Sequence, residues 1–95
     1  MAAYVIAQIE ITDPDTFQQY RNEVPATLAA YGGKFLVRGG RSETLEGTWE
    51  PKRLVVLEFP DSSSAKAWWS SQAYEGPKAL RQRAAHTELI VIDGI

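Results

Sequence analysis

Cysteine is absent from the 95 residues, which excludes disulfides, thiol nucleophiles, thiolate metal sites and iron–sulfur ligation together. Histidine occurs once, as His86, so a metal centre would have to be built from it and scattered carboxylates; no metal is expected. Neither sign of charge dominates: 10 Lys+Arg stand against 12 Asp+Glu, a mixture that sets up no field for nucleic acid or an anionic membrane. No run approaches the roughly 18 apolar residues of a membrane span. The start, Met1-Ala2-Ala3-Tyr4-Val5-Ile6, lacks the basic region of a signal peptide and soon reaches the polar Gln8 and Glu10, so a cytoplasmic location is the default expectation. There is no phosphate-binding loop, Walker motif, Ser-His-Asp order or zinc spacing. Gly39-Gly40 is not a dinucleotide fingerprint, because no helix follows it, and no cofactor is expected.

What remains is a chain 44% hydrophobic, long enough for one core and too short for two. A single domain over 1–95 is expected. Residues 3 to 11 carry polar groups only at alternate places, which is strand periodicity. Asp13-Pro14-Asp15 supplies an N-cap, a proline at the first helical position and an acid in the first turn. The helix that follows has Phe17, Tyr20, Val24, Leu28 and Tyr31 on one face, with Pro25 expected to kink or restart it and Gly32-Gly33 to end it. Lys34 to Arg38 reads as strand 2, with pairing resuming near Ser42 to Leu45 after a bulge at Gly39-Gly40. Arg53 to Phe59 reads as strand 3, so the two form a long hairpin with Trp49 at its tip. Pro60 stops strand 3, and Asp61 to Ser64 offer caps for a helix through Ala65, Trp68, Trp69 and Gln72. Gly76-Pro77 is expected to interrupt that helix before Lys78 to Ala85 resume it, and residues 87 to 92 form strand 4. The order βαββαβ predicts an α+β, ferredoxin-like protomer: a four-stranded antiparallel sheet with helices on one face.

Successive strand side chains point to opposite faces, which sorts them into two sets. Val5, Ala7, Ile9, Ile11, Phe35, Val37, Val55, Leu57, Phe59, Leu89 and Val91 are all apolar, and this face should carry the helices. The other set mixes Tyr4, Gln8, Glu10, Arg38, Glu58 and Glu88 with Ile6, Leu36, Leu54, Val56, Ile90 and Ile92. Those six apolar residues make a patch too large to stay wet, and a second copy of the chain would cover it by two-fold symmetry. The polar members would then line a cavity between the two sheets.

Tyr31-Gly32-Gly33-Lys34-Phe35-Leu36-Val37-Arg38-Gly39-Gly40, Leu45-Glu46-Gly47-Thr48-Trp49, Val56-Leu57-Glu58-Phe59-Pro60 and Ala67-Trp68-Trp69 with Ser71 and Tyr74, taken in this order, resemble the DUF1330 family. The match spans essentially the whole chain. The resemblance implies a bacterial source, a ferredoxin-like protomer and a homodimer closed into a dimeric α/β barrel. That family has no established biochemical activity. The wider superfamily includes cofactor-independent monooxygenases, muconolactone isomerases, haem-degrading enzymes and plain binding or stress proteins, among which fold alone does not choose.

In the expected cavity Arg38 would anchor a carboxylate and Glu58 would act as general base, against the plainer reading of a structural ion pair between them. Gln8 and Glu10 would add a hydrogen-bond donor and a second carboxylate. His86 is either a proton shuttle or a surface residue at a helix end. Trp68 and Trp69 point about 100° apart on a helix, so one enters the core and the other lines a pocket or the dimer edge. Tyr74 either points its hydroxyl into the cavity mouth or packs in the core, and Trp49 would reach the partner chain. The function these readings define is a small-molecule-binding homodimer, extending to a cofactor-independent enzyme acting on a small carboxylate or aromatic compound. The alternative is a non-catalytic binding or stress-response protein.

Overall fold

The computed structural model describes all 95 residues. Its elements are β1 (Ala3–Ile11), α1 (Pro14–Leu28), a short 3-10 turn (Ala29–Tyr31), β2 (Lys34–Arg38), β3 (Arg53–Phe59), α2 (Ser62–Trp69), α3 (Gln72–Ala84) and β4 (Ala85–Asp93). The sheet is antiparallel throughout, in the order β2-β3-β1-β4. The helices cover one face and leave the other open, which is the ferredoxin-like arrangement. On the helix side Val5, Ala7, Ile9, Leu57 and Phe59 meet Phe17, Tyr20, Val24 and Leu28 of α1, Ala65 and Trp68 of α2, and Tyr74 of α3 in one buried cluster.

The helices start where the caps lie. Asp13 accepts from the Thr16 amide, Asp61 from the Ser64 amide and Ser71 from the Tyr74 amide. The break expected at Gly76-Pro77 therefore falls earlier, at Ser70–Ser71, and Pro77 sits inside α3. A proline there removes only its own donor bond to the carbonyl four residues back, on exposed Ala73. Pro25 likewise stays within α1. The carbonyl it leaves without a helical partner is that of Arg21, and the Arg38 guanidinium donates to this oxygen at 2.6 Å.

The second departure from expectation is the hairpin. Phe35 pairs with Leu57 but Val37 pairs with Val56 and Arg38 with Val55, so Leu36 is an extra residue in a β-bulge. One inserted residue reverses the alternation after it. Val37 thereby turns to the open face and Arg38 to the helix face, each opposite to the side expected. No strand forms over Ser42 to Leu45; after Gly39, whose φ of +74° suits glycine, the chain runs as an irregular loop to Lys52.

The two aspartate caps make the fold acid-sensitive in a defined window. The Asp61 carboxyl is held below its ordinary value of 3.8, first by the Ser64 backbone amide and then by the Ser64 hydroxyl; Asp13 is lowered chiefly by the Thr16 hydroxyl and then its amide. A folded-state value below the unfolded one gives stability that is complete above about pH 4 and is lost as pH falls through the lowered value. Asp61→Asn retains a capping oxygen without the charge, so its unfolding curve should depend less on pH below about 4 than that of the wild type. Circular dichroism during acid titration measures this, and superimposable curves would show that the cap carries no charge-dependent stability.

Candidate functional site

Because the bulge rotates Arg38 onto the helix side, it joins arginines from three other elements. Arg21 of α1, Arg38 of β2, Arg53 of β3 and Arg81 of α3 line a chamber between helices and sheet whose other walls are apolar, including Phe17, Phe35, Val55 and Leu89. Tyr20 and Tyr74 are also among its lining residues. The space open to water is about 30 Å³, room for roughly two molecules, so a larger occupant must displace the long arginine side chains at its rim.

No acid answers these cations. The four ion pairs of the chain are Lys34–Glu58 at 3.0 Å, Arg41–Glu43 at 3.0 Å, Lys52–Glu10 at 3.7 Å and His86–Glu88 at 4.0 Å, and none includes a chamber arginine. Arg81 is 5% exposed and gives its Nε–H to the Tyr74 hydroxyl at 3.3 Å. Arg38 lies with its guanidinium carbon 4.4 Å from the centre of the Phe35 ring, and Arg53 lies 5.7 Å from that of Phe17. The Nε groups of Arg21 and Arg53 are buried without any acceptor. Burial first, and then the charges of Arg21 and Arg38, push the Arg53 guanidinium below its ordinary value. Buried or crowded guanidinium groups without a carboxylate are costly unless an anion completes them.

The expected pairing of Arg38 with Glu58 does not form, because the bulge separates them onto opposite faces. Glu58 remains on the open face and pairs with Lys34. His86 lies in β4 rather than before it, opposite Glu10, and is exposed beside Glu88. Gln8 and Glu10 are also on the open face. There the loop folds back across them within the same chain: Trp49 donates its indole N–H to Gln8 at 3.0 Å, and Lys52 pairs with Glu10. Trp68 is the core member of the tryptophan pair. Trp69 is exposed outside the chamber, with the Lys78 ammonium 3.7 Å from its ring centre. Tyr74 is fully buried and hydrogen-bonded to Tyr20 at 2.9 Å. Of the residues expected in one cavity, the chamber thus contains Arg38, Trp68 and Tyr74, while Glu58, His86, Gln8 and Glu10 share the opposite face. Arg21, Arg53, Arg81 and Tyr20 were missed as site residues. The one available signal was Arg21 directly after Tyr20 on the apolar stripe of α1.

Fold and chamber together define a ferredoxin-like α+β protein with an arginine-lined pocket between its layers. Over residues 2–95 the chain matches the domain of unknown function DUF1330, and it belongs to that family. Its fold is similar to that of a protein of unknown function from Rhodopseudomonas palustris, RPA0582, at 15% identity and a TM-score of 0.78, covering 99% of this chain and 82% of that one. A dimeric ferredoxin-like protein of unknown function from Jannaschia sp. CCS1 is similar at 10% identity and a TM-score of 0.73, covering 99% and 100%. SnoaB, a cofactor-independent oxygenase from Streptomyces nogalater, is similar at 11% identity and a TM-score of 0.67, covering 99% and 93%. No curated protein matches.

Proposed function

We propose that this protein is a homodimer that binds a small organic anion, a short carboxylate with an apolar body, in the chamber of each protomer. The observation that carries the binding reading is four arginines converging on an apolar space with no carboxylate among its lining residues. A guanidinium fork suits a carboxylate, and the apolar walls suit a short hydrocarbon body. Binding without chemistry is the preferred form of the proposal, because the chamber's titratable side chains are arginines and tyrosines only. Glu58 and His86, the base and proton carrier of an enzymatic reading, lie across the sheet.

The dimer reading rests on the open face. At its polar end the chain's own loop touches Gln8 and Glu10, while Leu36, Ile90 and Ile92 are 50%, 55% and 49% exposed beside half-buried Ile6, Leu54 and Val56. A second copy laid on this face would remove them from water, and the similar Jannaschia protein is described as dimeric.

Pentanoate is a suitable probe. It should raise the melting temperature of the wild type in a dose-dependent way, leave Arg38→Met unmoved, and stabilise Arg38→Lys only in part, since a point charge does not reproduce the planar fork. Light scattering on wild type and Arg38→Met alike should give twice 10.6 kDa. Equal stabilisation of wild type and Arg38→Met would remove Arg38 from the site. No stabilisation of the wild type by any short carboxylate would end the binding proposal.

A further inference from the structure

At the inner end of the chamber the donors and acceptors do not balance. Arg81 has only donors, and its Nε–H points at the Tyr74 oxygen at 3.3 Å. Tyr74 and Tyr20 share one hydrogen bond of 2.9 Å, which uses one of their two phenolic protons. The other proton has no acceptor in the chain, whichever way the shared bond runs. Tyr74 is 0% exposed, and if Tyr20 donated to it, the Tyr74 proton would be stranded in the core. Running Arg81 to Tyr74 to Tyr20 instead satisfies Tyr74 fully and leaves the free O–H on Tyr20, the more accessible residue of the two at 9% exposure and one that lines the chamber.

We infer that the chamber's anion carries a second, neutral oxygen acceptor, and that the Tyr20 hydroxyl donates to it through a relay headed by the Arg81 cation. This inference rests on the anion-binding proposal and adds a ligand class to it: oxo acids, with a carboxylate toward Arg21, Arg38 and Arg53 and a ketone oxygen at Tyr20. A donor in such a relay is strengthened by polarisation from the cation behind it. Burial, followed by the neighbouring Tyr74, raises the Tyr20 phenol well above its ordinary value of 10.0, so it remains protonated as a donor.

The test compares pentanoate with 2-oxopentanoate and 4-oxopentanoate, which keep its chain length and charge, on wild type and Tyr20→Phe by isothermal titration. One of the oxo acids should bind the wild type about fivefold to tenfold more tightly than pentanoate, the equivalent of one net hydrogen bond. Tyr20→Phe should lose that preference, binding the oxo acids no more tightly than it binds pentanoate. Infrared spectra of the carbonyl-labelled oxo acid on the wild type should show the ketone stretch at lower frequency than in an aprotic solvent; this keeps the inference testable should Tyr20→Phe fold poorly. Pentanoate binding with no preference for either oxo acid overturns the Tyr20 inference and leaves the anion site standing. A preference that survives intact in Tyr20→Phe also overturns it, and failure of all three acids to bind overturns both.

Discussion

Trp68→Ala is expected to cost about 3–5 kcal/mol, a large share of the roughly 5–15 kcal/mol that holds a domain of this kind together. The indole is 1% exposed, with its ring centre 4.0 Å from that of Tyr74 and 5.5 Å from that of Phe59. Its N–H donates to the Thr27 hydroxyl at 2.9 Å, and that hydroxyl donates in turn to the Val24 carbonyl at 2.7 Å. Removing the ring therefore leaves a cavity where α1, α2, α3 and the sheet meet. Trp68→Phe separates the two contributions. It retains a ring against Phe59 and Tyr74, and Thr27 still has its Val24 acceptor, so the expected cost falls to about 1–2 kcal/mol. Urea denaturation of both variants measures this. A loss below about 2 kcal/mol for the alanine variant would show that the aromatic stack does not organise the core.

Arg53→Met is expected to act with opposite signs on the free and the anion-bound protein. In the free protein Arg53 is crowded by burial and by Arg21 and Arg38, and its only side-chain hydrogen bond is a long one of 3.4 Å to the Arg38 carbonyl. A cation whose folded-state value is lowered has its protonated form penalised by folding. That penalty is present at every pH below the lowered value, so it is constant across neutrality; its part from Arg21 and Arg38, though not its larger part from burial, is relieved by salt, and a bound anion offsets it. Methionine keeps an apolar stem over Phe17 and removes the charge. The free variant should thus melt no lower than the wild type, and higher at about 10 mM salt, where screening is weakest. With pentanoate at roughly one hundred times its dissociation constant, the wild type should gain about 2.7 kcal/mol, on the order of 10 °C for a domain of this size, and the variant almost none. Calorimetry with and without the anion measures both signs. A steep loss of stability in the free variant would show that Arg53 is a structural residue.

Element order and the helix-facing core were legible because each is local. The periodicity of two in Ala3–Ile11 and Arg53–Phe59 sorts side chains between faces wherever pairing is regular, and the caps Asp13 and Asp61 mark the starts of the first two helices, whereas the Ser71 start was not legible beside the stronger break signal of Gly76-Pro77. Trp68 and Tyr74 were legible as aromatic residues of the second helical region, and Trp68 in the core was one of the two outcomes the helical spacing allowed. The site was not legible, because it depends on a count of one. The extra residue at Leu36 reverses the faces of Val37 and Arg38, and nothing in Lys34 to Arg38 says whether a bulge falls before or after Arg38.

What the sequence by itself determined is the βαββαβ order, the apolar face against which the helices pack, and the excess of apolar residues on the other face. Those follow from residue type and spacing. Which arginines meet was decided only by the tertiary structure. Arg21, Arg38, Arg53 and Arg81 come from four elements separated along the chain, and they converge because the bulge turns one strand end inward. There Arg38 finds the Arg21 carbonyl that Pro25 leaves without a helical donor. The tyrosine relay has the same origin, since Tyr20 and Tyr74, 54 positions apart in the chain, meet only when α1 packs against α3.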